Sequence, residues 1–291
     1  MKIRLFLLLT FAVSWSLVFC YFGLGGRLSH PLFYAMSVAV MFTPSLAALI
    51  VQRLVCRQPF LKPLGVMLRP NRWYAAGLLL PPLIVLLAAA ASLLLPGVSF
   101  SNNILASNLM LSLESVVPPE QLTRIHHQIA ILPVHPAWLI LAGGTLAGAT
   151  VNGMAALGEE AGWRGLLQEE LAHLGFWRSS WLIGLIWGIW HLPLIVYGYN
   201  YPGHPVAGAI AMTLWAILFS PLIGYVRLKS GSVLAAAMMH GSLNGVSMAP
   251  AAMLTGGDSL TTGILGIPGI AVLAALNLGL SVYRSTGARP T

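Results

Sequence analysis

Residues 137–157 read AWLILAGGTLAGATVNGMAAL, without a single charge, and run straight into Gly158-Glu159-Glu160-Ala161-Gly162-Trp163-Arg164-Gly165. An apolar helix of about 20 residues matches the ~30 Å hydrocarbon core of a bilayer. The run is therefore predicted to cross a membrane. Its foot carries two of the seven acids in the chain, side by side. On a helix, Glu160 and Arg164 lie one turn apart on one face and can pair. Glu159 points about 100° away and need not share that partner. One carboxylate is held and its neighbour is left free. An acid inside a membrane protein is costly and marks a functional site.

The rest of the composition agrees with a membrane setting. Of 291 residues, 57% are hydrophobic and only 8% charged, against about 25% charged in an ordinary soluble domain. Seven more apolar runs follow the same rule: Leu5–Phe22, Leu32–Leu54, Trp73–Leu95, Ser179–Tyr197, Pro205–Val226, Ser232–Leu254 and Ile264–Tyr283. The first lacks a small-residue cleavage site and is too long for a signal-peptide core, so it counts as a span. The expected fold is an all-α polytopic membrane protein, a bundle of about eight transmembrane helices. It forms one transmembrane domain over 1–291, with N-terminal spans and an outer loop in 1–136. Core helices with the candidate catalytic residues occupy 137–255, and a last span and tail occupy 256–291. Cys20 and Cys56 sit toward opposite ends of different spans, so no disulfide is expected.

The net charge of +8 reflects topology. With the loop between Arg53 and Arg72 placed in the cytoplasm, Lys2, Arg4, Arg53, Arg57, Lys62, Arg69, Arg72, Arg164, Arg178, Arg227, Lys229, Arg284 and Arg289 fall inside. Only Arg27 and Arg124 fall outside. Both termini are expected in the cytoplasm, and the excess cations attract anionic headgroups of the lipid bilayer. No nucleic-acid partner is expected. The one long loop, Pro96–Pro136, mixes Leu105, Leu109, Leu113 and Val116 with Pro118-Pro119 and His126-His127, and part of it reads as an interfacial amphipathic segment. Adjacent histidines diverge on a helix, so His126 and His127 read as a solvated pair. No internal repeat of the kind that marks transporters is evident.

Three polar clusters share the C-terminal half: Glu159-Glu160-x-x-x-Arg164, Trp187-x-x-x-His191 and His240-x-x-x-Asn244. In the last two, the partners stand one helical turn apart. Glycine pairs flank all three, Gly158/Gly162, Gly184/Gly188 and Gly241/Gly245, in the small-xxx-small spacing that lets membrane helices approach closely. Amide hydrolysis needs an activated water, an oxyanion stabiliser and a proton donor for the leaving amine. A desolvated glutamate makes a general base, neutral histidines can ligate Zn²⁺ or hydrogen-bond, and an asparagine can donate to an oxyanion. Taken singly, each has a blander reading. Glu160–Arg164 can be a structural pair, a lone histidine a strut between helices, Asn244 packing glue, and Trp187 and Trp190 core aromatics. Glu169 and Glu170 read as a solvated face. The joint occurrence favours a site.

In these three motifs the sequence resembles the CAAX protease and bacteriocin-processing family of intramembrane proteases, also called the CPBP or ABI family. That pattern is Glu-Glu-x-x-x-Arg, Phe-x-x-x-His and His-x-x-x-Asn; here Trp187 stands for the Phe. The resemblance covers about residues 140–255. It implies a multi-pass enzyme of the cell membrane, an intramembrane metalloendopeptidase of the CAAX prenyl protease type. The site would face the cytoplasm and cut membrane-associated peptides or protein tails. It implies Glu159 as general base and His191 binding or polarising the water, directly or through a metal. His240 and Asn244 would complete the site, as ligands or oxyanion donors, and Glu160 and Arg164 would hold its shape. The resemblance leaves two readings of the cofactor open: Zn²⁺ on His191 and His240, or glutamate and histidine acting without a metal. The competing readings are a non-catalytic immunity or scaffold protein, as in bacteriocin immunity, and a transporter. No His-Glu-x-x-His and no Gly-x-Ser-x-Gly occurs.

One geometric demand follows. Measured along their runs, His191 and His240 lie deep, whereas Glu159 lies at the inner surface. They meet only if the fourth helix continues to about Gly175 and sits deeper than hydropathy suggests, with Glu159 facing a water-filled cavity.

Overall fold

The computed structural model describes residues 1–114 and 117–286; Val116 and Arg289 lie outside them. In chain order the principal helices are α1 (Lys2–Gly23), α2 (Pro31–Val55), α3 (Arg72–Ser92), α4 (Pro136–Gly148), α5 (Val151–Glu170), α6 (Phe176–Trp190), α7 (Pro205–Ser230), α8 (Val233–Val246) and α9 (Ile267–Thr286). The architecture is all-α. Among the described residues, two pairs of residues, β1 (Ser99–Phe100) and β2 (Leu254–Thr255), form a small antiparallel ribbon.

Helices α1, α2, α3, α7 and α9 are long and apolar enough to cross a membrane, and α4 with α5 makes a sixth, bent by 55°. Large apolar side chains such as Leu8, Leu83, Leu146, Val206 and Leu278 stay exposed on the outside of the bundle, as expected where the surrounding solvent is lipid. The remaining two runs are interrupted. The run Ser179–Tyr197 breaks at His191, because Pro193 has no N–H to continue the ladder. It resumes as the short helix Leu192–Val196. The run Ser232–Leu254 stops at Val246, and a separate turn of helix, Ala249–Met253, carries Pro250. Five or six helices therefore meet the length test, where eight uninterrupted runs were expected.

The bend between α4 and α5 falls at Ala149–Thr150. The Thr150 hydroxyl donates back to the Leu146 carbonyl at 3.1 Å, a contact that competes with the backbone ladder and bends helices. Beyond it α5 runs on past the glutamates. Residues Ala161–Leu167 wind as a wide π turn, and a 3₁₀ turn then ends at Gly175 with φ of 76°. The expected continuation to about Gly175 is present.

Helix α8 is the axis of the bundle. Its residues Ala235, Ala236, Ala237, Met239 and Leu243 are buried. Glycines let it lie against α4 and α5. A Cβ on Gly144 would strike the backbone of Gly245, one on Gly148 that of Ser242, and one on Gly241 that of Gly153. The same device seats α5 on α2, where Gly158 meets Met41 and Gly162 meets Pro44. It also seats α6 on α7, where Gly184 meets Ala216 and Gly188 meets Thr213. All three expected glycine pairs lie at helix contacts, and they pull the polar residues together. Both cysteines are free.

Candidate active site

The three motifs converge on one cavity of about 190 Å³. Glu159, Trp187, His191, His240 and Asn244 all line it. The groups at and behind its floor are buried: Glu159 is 2% exposed, Glu160 0%, Arg164 1% and His240 4%. His191 is half-buried and Asn244 exposed, so these two stand toward the mouth.

The two neighbouring glutamates have separate partners, as their angular offset requires. Glu160 Oε1 accepts from Arg164 Nη1 at 3.0 Å and from His240 Nδ1 at 2.8 Å. Glu159 Oε2 accepts from the indole N–H of Trp187 at 2.8 Å. Arg164 also lies over the Trp187 ring, 4.5 Å from its centroid. Its Nε and Nη2 have no hydrogen-bond partner among protein atoms, and the ring face supplies the remaining attraction. Arg164, Glu160, His240, Trp187 and Glu159 thus form one connected buried cluster. Of the two glutamates, Glu159 lines the cavity.

The histidines share a tautomer. His191 Nδ1 sits 2.8 Å from the Trp187 carbonyl, which can only accept, so Nδ1 carries the proton. His240 Nδ1 meets a carboxylate, with the same consequence. In both rings Nε2 remains for the cavity, as an acceptor when the ring is neutral. Such orientation by a second partner is also how metal-ligating imidazoles are held. Yet among the described residues no three His, Cys, Asp or Glu gather closely enough to hold an ion. A zinc site takes at least three protein ligands. As arranged among the described residues, His191 and His240 do not complete such a set.

Residues 133–246 match the family Type II CAAX prenyl endopeptidase Rce1-like. That segment is an Rce1-like family domain. It spans α4 to α8 and holds every residue of the three motifs, while α1 to α3 and α9 lie outside the match. The family it matches is one of membrane proteases, which implies proteolysis of proteins in a membrane. A search of the curated proteins finds no match.

Within the CAAX-protease domain, sequence reasoning undervalued Trp187. It is a core aromatic, as expected, but its indole N–H also bonds Glu159, which a phenylalanine cannot do. Trp190 is the simpler case: it is buried and donates to Ser14 Oγ at 2.8 Å. The cavity wall contributed by Tyr199, Asn200, Ile264 and Leu265 was missed altogether. The polar run Tyr197-Gly-Tyr199-Asn200-Tyr201 was the available signal, and Asn200 adopts a positive φ of 65°.

Proposed function

We propose that the protein is an intramembrane endopeptidase that hydrolyses a peptide bond in membrane-associated peptides or protein tails, with Glu159 as general base. One observation carries this reading: a buried carboxylate, two imidazole Nε2 atoms and an amide share a single cavity in a CAAX-protease domain. Glu159 takes a proton from a water that the two Nε2 atoms hold in place. The hydroxide attacks the scissile carbonyl, and the Asn244 side-chain amide donates to the oxyanion. Glu159 returns the proton to the departing amine, so the two protons and the oxygen of water end on the products. Glu160 and Arg164 fix His240 and take no proton.

The charge asymmetry supports placing both termini in the cytoplasm. The decisive test compares the membrane proteome of cells carrying wild-type or Glu159→Gln protein. Cleavage products present only with wild type are expected; identical product sets would remove Glu159 as the base. Metal-free enzyme is expected to keep its activity. Loss on chelation, restored by Zn²⁺, would instead place an ion on His191 and His240.

A further inference from the structure

The bundle has two chemically distinct ends, and the cavity belongs to only one of them. At the first end, Lys2 pairs with Glu170 at 2.7 Å and the Arg284 guanidinium lies 4.0 Å over the Phe176 ring. There too Asn71 donates to the Ser230 carbonyl at 3.0 Å, and Arg227 approaches the Leu64 carbonyl at 3.4 Å. These contacts gather the loops after α2, α5 and α7, together with the end of α9. With the helix ends that flank them, these segments hold 11 of the chain's 15 lysines and arginines.

At the other end, the loops after α6 and before α9 clasp each other. Tyr201 donates to the Leu265 carbonyl at 2.9 Å, and His204 Nε2 lies 3.1 Å from Asp258 Oδ2. Phe22, at the far end of α1, stacks on Tyr197 at 3.9 Å. Ser92, at the far end of α3, accepts from the Gly263 N–H at 3.0 Å. Among the described residues, the Lys and Arg positions in the segments at this end are Arg27 and Arg124.

The cavity reaches the second end. Its wall includes Tyr199, Asn200, Ile264 and Leu265 from the clasped loops, and Ser247 just past the end of α8. His191 closes α6 at the same end, and the exposed Asn244 lies in the last turn of α8. No residue of the cationic loops lines it. Cations in short loops mark the cytoplasmic face. The charge bias and a cytoplasm-facing site therefore pull in opposite directions.

We propose that the cavity opens away from the cytoplasm, and that its substrate is an apolar peptide segment in the extracytoplasmic half of the membrane: an exported peptide or the outward-facing part of a membrane protein, not a cytosolic tail. The proposal rests on the protease reading of this cavity. Its walls bear Met41, Leu194, Met212, Leu243, Ile264 and Leu265, which favours apolar side chains beside the scissile bond.

Two measurements test this. In a Cys20→Ser/Cys56→Ser background, Tyr199→Cys and, separately, Leu24→Cys are treated with a membrane-impermeant maleimide in spheroplasts. Both are expected to label before permeabilisation, and Lys229→Cys only after it. The reverse pattern would overturn the proposal. The second measurement uses a quenched-fluorescent peptide with apolar residues at its centre and a sulfonated, impermeant fluorophore. Right-side-out vesicles are expected to cleave it and Glu159→Gln vesicles not to. Cleavage by inside-out vesicles alone would sink the proposed side while leaving the protease intact. Wild-type and Glu159→Gln protein behaving alike in detergent would sink the protease reading, and the labelling result would still stand.

Discussion

The floor and the rim of the cavity are built on opposite principles. On the floor, each polar group serves its neighbour: Glu160 accepts from both Arg164 and His240, and Trp187 binds Glu159 while its ring carries Arg164. The cluster is buried, so every partner removed leaves a charge or donor alone. At the rim, His204 and Asp258 are 35% and 46% exposed and water can replace either one. The contrast teaches where shape and chemistry can be separated. On the floor they are fused, and at the rim a substitution can alter substrate access without disturbing the fold.

The largest effect is expected from Glu159→Gln, which keeps the Trp187 bond and removes the base. A positioned general base contributes about 10²–10⁴ in rate, so kcat for a fluorogenic peptide should fall in that range with the melting temperature unchanged. Arg164→Ala should instead unfold. Breaking a buried pair costs about 3–5 kcal/mol, which thermal melts in detergent would register as a clear drop in Tm. A stable Arg164→Ala protein would show that the floor is less interdependent than its contacts indicate.

Trp187→Phe separates ring from N–H. A hydrogen bond to a charged group is worth about 1.5–3 kcal/mol, so kcat should fall about tenfold or more with KM little changed. The smallest effect belongs to Asp258→Asn at the rim. Slight burial works against the Asp258 charge. The Thr261 hydroxyl, the Leu260 and Thr261 N–H groups and His204 outweigh it and hold the carboxyl below its usual range. A lowered carboxyl contributes stability above its ordinary pKa and loses it as pH falls through the lowered value. The clasp should therefore persist from neutral to mildly acid pH. Exposed pairs are worth about 0–1 kcal/mol, so Asp258→Asn should leave Tm unchanged and alter KM only modestly.

Much of this floor was legible in the sequence. Angular offset alone separates the partners of Glu159 and Glu160, and the spacing of Gly158/Gly162, Gly184/Gly188 and Gly241/Gly245 marks the contacts that bring the motifs together. What hydropathy could not show was interruption. A run that is apolar throughout reads as one span, whether or not Pro193 or Pro250 breaks its ladder. The rim was hidden for a related reason. Tyr199 and Leu265 are far apart in the chain and meet only because α6, α7 and α9 return their ends to one place. The bend at Thr150 had no hydropathy signal, since the run stays apolar through it.

The wide turn at Ala161–Leu167 stores one more residue than ordinary winding would use. Deleting a single residue just beyond Arg164 would let that coil close to ordinary winding while the turns on either side keep their places. Glu170 would then keep its reach to Lys2 while Glu159 and Glu160 stayed where they are. The loosened coil thus acts as a spacer that lets the placing of the acids and the anchoring of the helix end be set independently.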